Sequence, residues 1–208
     1  MQANISSILQ KIIDQHCSQL AKAVRAREQE LKEDNLDHLL LYEVLGYPRE
    51  EGLKIDLYQN IGRFVFKYSG SMLEELTITL INKAKGGKPI AIPNTISSHP
   101  TNFHIDCYVP QDNKAHEIKW RDATTDGDHI KKEKTKLDAI VKAGYRPVRI
   151  MFFYPNRHQA KTIQDKIREL YLKNGEVYVT DKAWQYVASY TGVDLYAELM
   201  RRLPKRST

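Results

Sequence analysis

His104-Ile-Asp106-Cys-Tyr-Val-Pro-Gln-Asp-Asn-Lys-Ala-His-Glu117-Ile-Lys119 is the stretch that decides the fold. Phe103 to Val109 and Ala115 to Arg121 alternate at the period of a strand, with the polar turn Gln111-Asp-Asn-Lys114 between them, which predicts an antiparallel hairpin. Side chains alternate along a strand, so Glu117 and Lys119 share one face and Ile118 points to the other. A two-residue turn pairs Gln111 with Lys114, and a loop from Gln111 to Lys114 pairs Pro110 with Ala115. Either register sets Asp106 opposite Lys119 and Tyr108 opposite Glu117. Asp106 and Glu117 then become diagonal neighbours on one face, about 7–8 Å apart at the backbone.

Two carboxylates and an ammonium on one sheet face are costly unless something binds there. Mg²⁺ suits them, because it takes few carboxylates and completes its shell with water and phosphate oxygens. Such an ion polarises a scissile phosphate and activates the attacking water. Lys119 is placed to orient that water and to stabilise charge on the phosphorane, and the Ile118 carbonyl is a candidate for the remaining metal ligand. The bland reading of the same residues is an amphipathic hairpin whose solvent face happens to be charged.

Working outward, Ile5, Ile8, Leu9, Ile12, Ile13, Leu20, Val24 and Leu31 fall mostly at helical spacing, and a short helix holds Leu36 to Leu45 before Gly46 and Pro48. Residues 50–68 fit no single pattern. Ser71-Met-Leu-Glu74 resembles a capping box opening a helix that runs to Ala84, stopped by Gly86-Gly87. A loop with Pro89, Pro93 and Pro100 leads to the hairpin. Beyond it come a helix from Ile130 to Ala143, a buried strand from Arg146 to Tyr154 and a helix from Arg157 to Lys173. A short strand, Glu176 to Thr180, and one or two closing helices follow. The sum is an α/β chain with a small mixed central sheet flanked by helices and a helical N-terminal region.

The charge is sorted along the chain. Residues 1–60 hold seven Lys and Arg against ten Asp and Glu, whereas residues 114–173 hold fifteen against eight. That basic stretch points to a polyanion. No apolar run approaches the ~20 residues of a membrane span, and the start has no signal-peptide pattern, so a soluble cytoplasmic protein is expected. Cys17 and Cys107 lack metal-ligand spacing and read as buried thiols in a reducing compartment.

Asp106, Glu117-Ile and Lys119, followed by a helix and a buried strand, resemble the PD-(D/E)xK nuclease signature, with Ile105 where Pro is usual. The block His116 to Glu133 is similar to the ApaLI-like restriction endonucleases, over roughly residues 103–153. This resemblance implies a restriction-endonuclease-like core and a single endonuclease domain over 1–208. Residues 61–180 are then the catalytic part, and the helical residues 1–60 a candidate dimerisation surface. It further implies a homodimer that hydrolyses both strands within a short palindromic duplex, leaving 5′-phosphate and 3′-hydroxyl ends without any nucleotide cofactor. Such nucleases sometimes add a helical Glu to the metal site, which makes Glu74 a candidate ligand, although its capping-box role explains it without any metal.

On that reading the polar loop after the hairpin reaches the DNA. Arg121 is suited to a guanine edge, and Asp122 or Asp126 to a cytosine amino group. Thr124, Thr125 and His129 belong to the same element, and Lys131, Lys132 and Lys134 are placed for phosphates. A solvated loop and helix face is the competing view. Asp122, Asp126, Gly127 and Glu133 also nearly reproduce an EF-hand loop, spoiled by Thr124 and His129. His104 and His116 are expected towards the helix-covered side or the sheet edge, and Tyr108 and Trp120 in packing. The alternatives to a site-specific nuclease are a structure-specific or nicking nuclease of the same fold, a non-catalytic DNA-binding regulator, and a calcium-binding module.

Overall fold

The computed structural model describes residues 2–121 and 128–203, and in it the chain forms two compact units, Met1–Met72 and Leu73–Thr208. The division falls inside a helix.

The first unit is helical. Helix α1 spans Gln2–Glu33, α2 spans Leu39–Val44, and α3 spans Arg49–Lys85, crossing into the second unit. Leu9, Ile12 and His16 are buried at helical spacing along α1. His16 meets the Tyr68 ring edge-on, and Arg27 bonds Asn60 Oδ1 at 3.1 Å, so α1 and the first part of α3 run antiparallel. The undecided residues 50–68 are thus continuous helix. The capping box is overturned as well, since Ser71 lies inside α3. Leu73, Leu76, Leu80 and Ile81 form its buried stripe, and no start is needed where the helix never stopped. Gly86, at φ +68°, ends it. At Gly87 a Cβ would lie 2.7 Å from Cys107 Sγ and 2.8 Å from the Ile81 side chain, so only glycine lets the helix end meet the sheet this closely.

The second unit holds a five-stranded sheet in chain order: β1 (Lys88–Pro93), β2 (Asn102–Val109), β3 (Lys114–Lys119), β4 (Arg146–Met151) and β5 (Glu176–Val179). The first three strands pair antiparallel and the last three parallel, through the crossover helices α4 (Asp128–Lys142) and α5 (His158–Leu172). Helices α6 (Asp181–Thr191) and α7 (Leu195–Met200) close the chain. Strand β1 stands where the prolines predicted a loop. It is an edge strand, the one place where Pro89 and Pro93 leave no central ladder bond unmade.

The hairpin register also differs from expectation. Val109 pairs with Lys114 and Cys107 with His116, because Pro110–Asp112 form a 3-10 turn closed by Asn113 in the left-handed region at φ 51°. Proline has no N–H for the ladder, so the loop starts at residue 110, one position earlier than predicted. Carried one step further, this register sets Asp106 across from Glu117 rather than from Lys119. The shift is by two residues, so the three side chains still share a face.

Ile92, Phe103, Ile105, Ala115, Ala139 and Ile140 form one core cluster, and Leu137, Ile163, Ile167 and Tyr171 join α4 to α5 in another. Of the two thiols, Cys107 is buried as expected, with its pKa pushed up to about 12 by burial, but Cys17 is exposed on α1.

Candidate active site

Alternation along β3 sends neighbouring residues into different layers. His116 is fully buried towards α6, its ring nitrogens 3.1 Å from the Cys107 carbonyl oxygen and 2.8 Å from the Tyr186 hydroxyl. Burial pulls its pKa down to about 4, so it is a neutral structural group. His104, on β2, is exposed.

Glu117 points the other way, under α4, and is 0% exposed. Its Oε2 accepts from Lys136 Nζ at 2.6 Å and lies 3.8 Å from Lys119 Nζ, while Oε1 has no hydrogen-bond partner. Asp106 is fixed by the Ile118 N–H, which donates to Oδ2 at 2.7 Å, and the same oxygen lies 3.5 Å from Lys119 Nζ. The predicted trio is therefore brought together. Burial, then the charge of Asp106, raises the Glu117 pKa to about 7 against the pull of Lys136 and Lys119. Burial works against the Lys119 charge, yet Asp106, Glu117 and Glu133 outweigh it and raise the pKa. Glu74 is half-buried on α3, with its pKa raised first by burial and next by Asp106. It thus feels the trio electrostatically.

Sequence reasoning missed the layer above. Lys136 is not among the residues that the sequence singles out, and Glu133 enters there only as part of the calcium-like loop. Both lie on the buried stripe of α4, where Glu133, Lys136, Leu137 and Ile140 recur at helical spacing. That spacing was the available signal. Glu133 Oε2 accepts from Arg149 at 2.9 Å, and Arg149 also donates to Gln164 Oε1 at 3.2 Å. Arg149 is 3% exposed on β4 and is the strand partner of Glu117. A charged residue inside an otherwise apolar buried strand marks such a network.

With this geometry in view, the comparisons decide the family. The family model for ApaLI-like restriction endonuclease matches residues 1–203 of the 208. The chain belongs to that family. It is therefore a restriction endonuclease, a nuclease that hydrolyses phosphodiester bonds of DNA. The match takes in the N-terminal helices and nearly all of the C-terminal part, well beyond the block around residues 103–153. Comparison with curated proteins and with solved structures gives no match.

Restriction endonucleases generally use a divalent metal ion, and the residues here fit one. The buried Oε1 of Glu117 lacks a partner, and the donors nearby are hard oxygens. Among the described residues, no three His, Cys, Asp or Glu are gathered closely enough to hold a metal by side chains alone. A cation would be held by Asp106 and Glu117 with main-chain, solvent and substrate oxygens, the Ile118 carbonyl among the candidates.

Of the predicted DNA contacts, Asp122, Thr124, Thr125 and Asp126 lie outside the described residues. Arg121 is exposed just past β3, 5.4 Å over the Trp120 ring. His129 is half-buried in the first turn of α4, with its pKa lowered by burial. Lys131, Lys132 and Lys134 are exposed on α4, Lys134 paired with Asp138 at 2.5 Å. The calcium reading loses its twelfth-position ligand, because Glu133 is committed to Arg149. No helix among the described residues is long and apolar enough to cross a membrane.

Proposed function

We propose that this restriction endonuclease is a type II enzyme that cuts within a short palindromic duplex, as a homodimer, with Mg²⁺ as its metal and Asp106, Glu117 and Lys119 as its catalytic residues. The observation that carries the reading is the buried Glu117 carboxylate, one oxygen without a partner, on the sheet face that also bears Asp106 and Lys119.

The reaction is attack of a water oxygen on phosphorus, in line with the breaking P–O3′ bond, giving a 5′-phosphate and a 3′-hydroxyl. A bound Mg²⁺ supplies Lewis acidity towards the phosphate and the attacking water. Lys119 reaches from beside both carboxylates to orient the water and to balance negative charge on the phosphorane oxygens. Asp106 is held for its role by the Ile118 N–H. Lys136 keeps Glu117 oriented and favours its ionised form. Arg149, locked by Glu133 and Gln164, supports the strand position beside Glu117. Glu74 adds negative charge at the site and is the candidate for a further metal ligand.

Plasmid digestion with and without Mg²⁺ tests the proposal. Wild type should give discrete fragments that disappear without the metal and in Glu117→Ala and Lys119→Ala, with rate losses of at least about 100-fold. Random nicking would favour a structure-specific nuclease, and unchanged cleavage by either variant would move the active site elsewhere.

A further inference from the structure

Strands β3 and β4 run parallel, so the residues that follow them emerge at one end of the sheet, the end where β3 carries Lys119. Two main-chain bonds tie these exits together. The Phe152 N–H donates to the Lys119 carbonyl at 3.0 Å, and the Phe153 N–H to the Trp120 carbonyl at 2.8 Å. Between the exits lies a cleft of about 390 Å³, with Trp120 and Arg121 on one wall and the run Phe153 to Arg157 on the other.

The lining has an unusual composition for a surface. Phe153 is 49% exposed although it is fixed edge-on by Trp120 at 6.3 Å on one side and by Trp184 at 5.9 Å on the other. Tyr154 is anchored by its hydroxyl, which donates to Asp165 at 2.8 Å. Asn156 and Arg157 are exposed and follow directly, and Arg121 lies over Trp120. Rigid aromatic faces beside guanidinium and amide groups are what a base requires: a flat apolar surface to stack on and donors that pair with its edge. The two arginines of the lining, Arg121 and Arg157, suit DNA, the polyanionic substrate of the family.

We infer that this cleft is a base-reading site for a nucleobase extruded from the target duplex, which stacks on Phe153, the ring that Trp120 meets edge-on, while Asn156 and Arg157 pair with its edge. The backbone ties to Lys119 and Trp120 set the base reader in a fixed register with the scissile phosphate. The inference rests on the proposed sequence-specific cleavage, and it adds Phe153, Asn156 and Arg157 to the specificity determinants expected from the loop that begins at Arg121.

The test uses full-length protein carrying Glu117→Gln, bound to duplexes with and without a site mapped from wild-type plasmid digestion. Fluorescence anisotropy should show Phe153→Ala and Asn156→Ala weakening specific binding about tenfold or more, with non-specific binding little changed. Phe153→Tyr, which keeps the stacking face, should restore it and guards against a folding defect. A 2-aminopurine at the read position should brighten on specific binding as it leaves the stack, a rise that Phe153→Ala abolishes, and no rise at any position of the site overturns the inference. Specific binding unaffected by both alanine variants overturns the inference while leaving the nuclease reading intact. Equal weakening on both duplexes also overturns it, reducing the cleft to a phosphate contact. A wild type without discrete cleavage sites sinks the specificity reading first, and the base reader with it.

Discussion

Burial without a partner for Oε1, followed by the charge of Asp106, holds the Glu117 pKa up to about 7, against Lys136 and Lys119. A carboxylate whose pKa is higher folded than unfolded keeps its proton longer in the native state, so its contribution to stability falls as pH rises from about 4.5 to about 7. His116, depressed to about 4 by burial, works in the opposite sense over about pH 4 to 6.5. The Glu117 contribution is therefore isolated by comparison. Between about pH 5 and 7.5 the metal-free melting temperature of wild type should fall relative to Glu117→Gln, and parallel curves would contradict the burial argument. Cation binding requires the ionised carboxylate, so cleavage at limiting Mg²⁺ should drop by up to about tenfold per pH unit below about 7. Lys136→Met removes a charge that favours ionisation, moves that profile to higher pH and slows cleavage at neutral pH by about tenfold. Lys136→Arg should recover part of the loss. A profile that stays in place would show Lys136 to be a packing residue only.

At the level of elements, hydrophobic period exposed most of the fold: α1, the β2–β3 hairpin, α4, β4 and α5 all stand where apolar spacing predicted them. Its failures have physical reasons. Strand β1 was masked by prolines that an edge strand tolerates, and α3 was cut in two because Ser71 and Glu74 imitate a helix start. Ser71→Ala distinguishes the two versions of that helix. An N-cap would lose about 1 kcal/mol on substitution, whereas an exposed mid-helix serine should be neutral or gain about 0.5 kcal/mol, read as an unchanged or raised melting temperature. The candidate site was legible where it follows strand alternation, in Asp106, Glu117 and Lys119. For Glu133 and Lys136 the spacing of α4 marks only the inward face, and their partners, Arg149 and Glu117, follow from α4 being laid over the sheet, which no single element encodes. Pro110 did carry the correct register, through its missing N–H, and that cue was passed over in favour of turn composition.

For the whole molecule, a palindromic target calls for two copies related by a two-fold axis, with a self-complementary patch on each. The first unit supplies such a patch on α2 and the turn after it. Leu40, Leu41, Val44, Leu45 and Tyr47 are each at least half exposed, with Val44 at 74%. Five exposed apolar residues in a run of eight are unfavourable for a lone soluble chain and suited to a second copy. The charge pattern agrees, since residues 1–60 carry a net −3 and residues 114–173 a net +7, which reserves the basic stretch for DNA. Wild type should therefore sediment as a dimer at micromolar concentration. Leu41→Glu with Val44→Glu places two like charges against their counterparts and should give a monomer of unchanged helicity, because neither side chain is buried within its own chain. The monomer should convert supercoiled plasmid to nicked circle faster than to linear product, as one active site cuts one strand per encounter. A dimer that survives both charges would move the interface off α2, and a wild type that sediments as a monomer would remove the symmetry on which the palindromic reading depends.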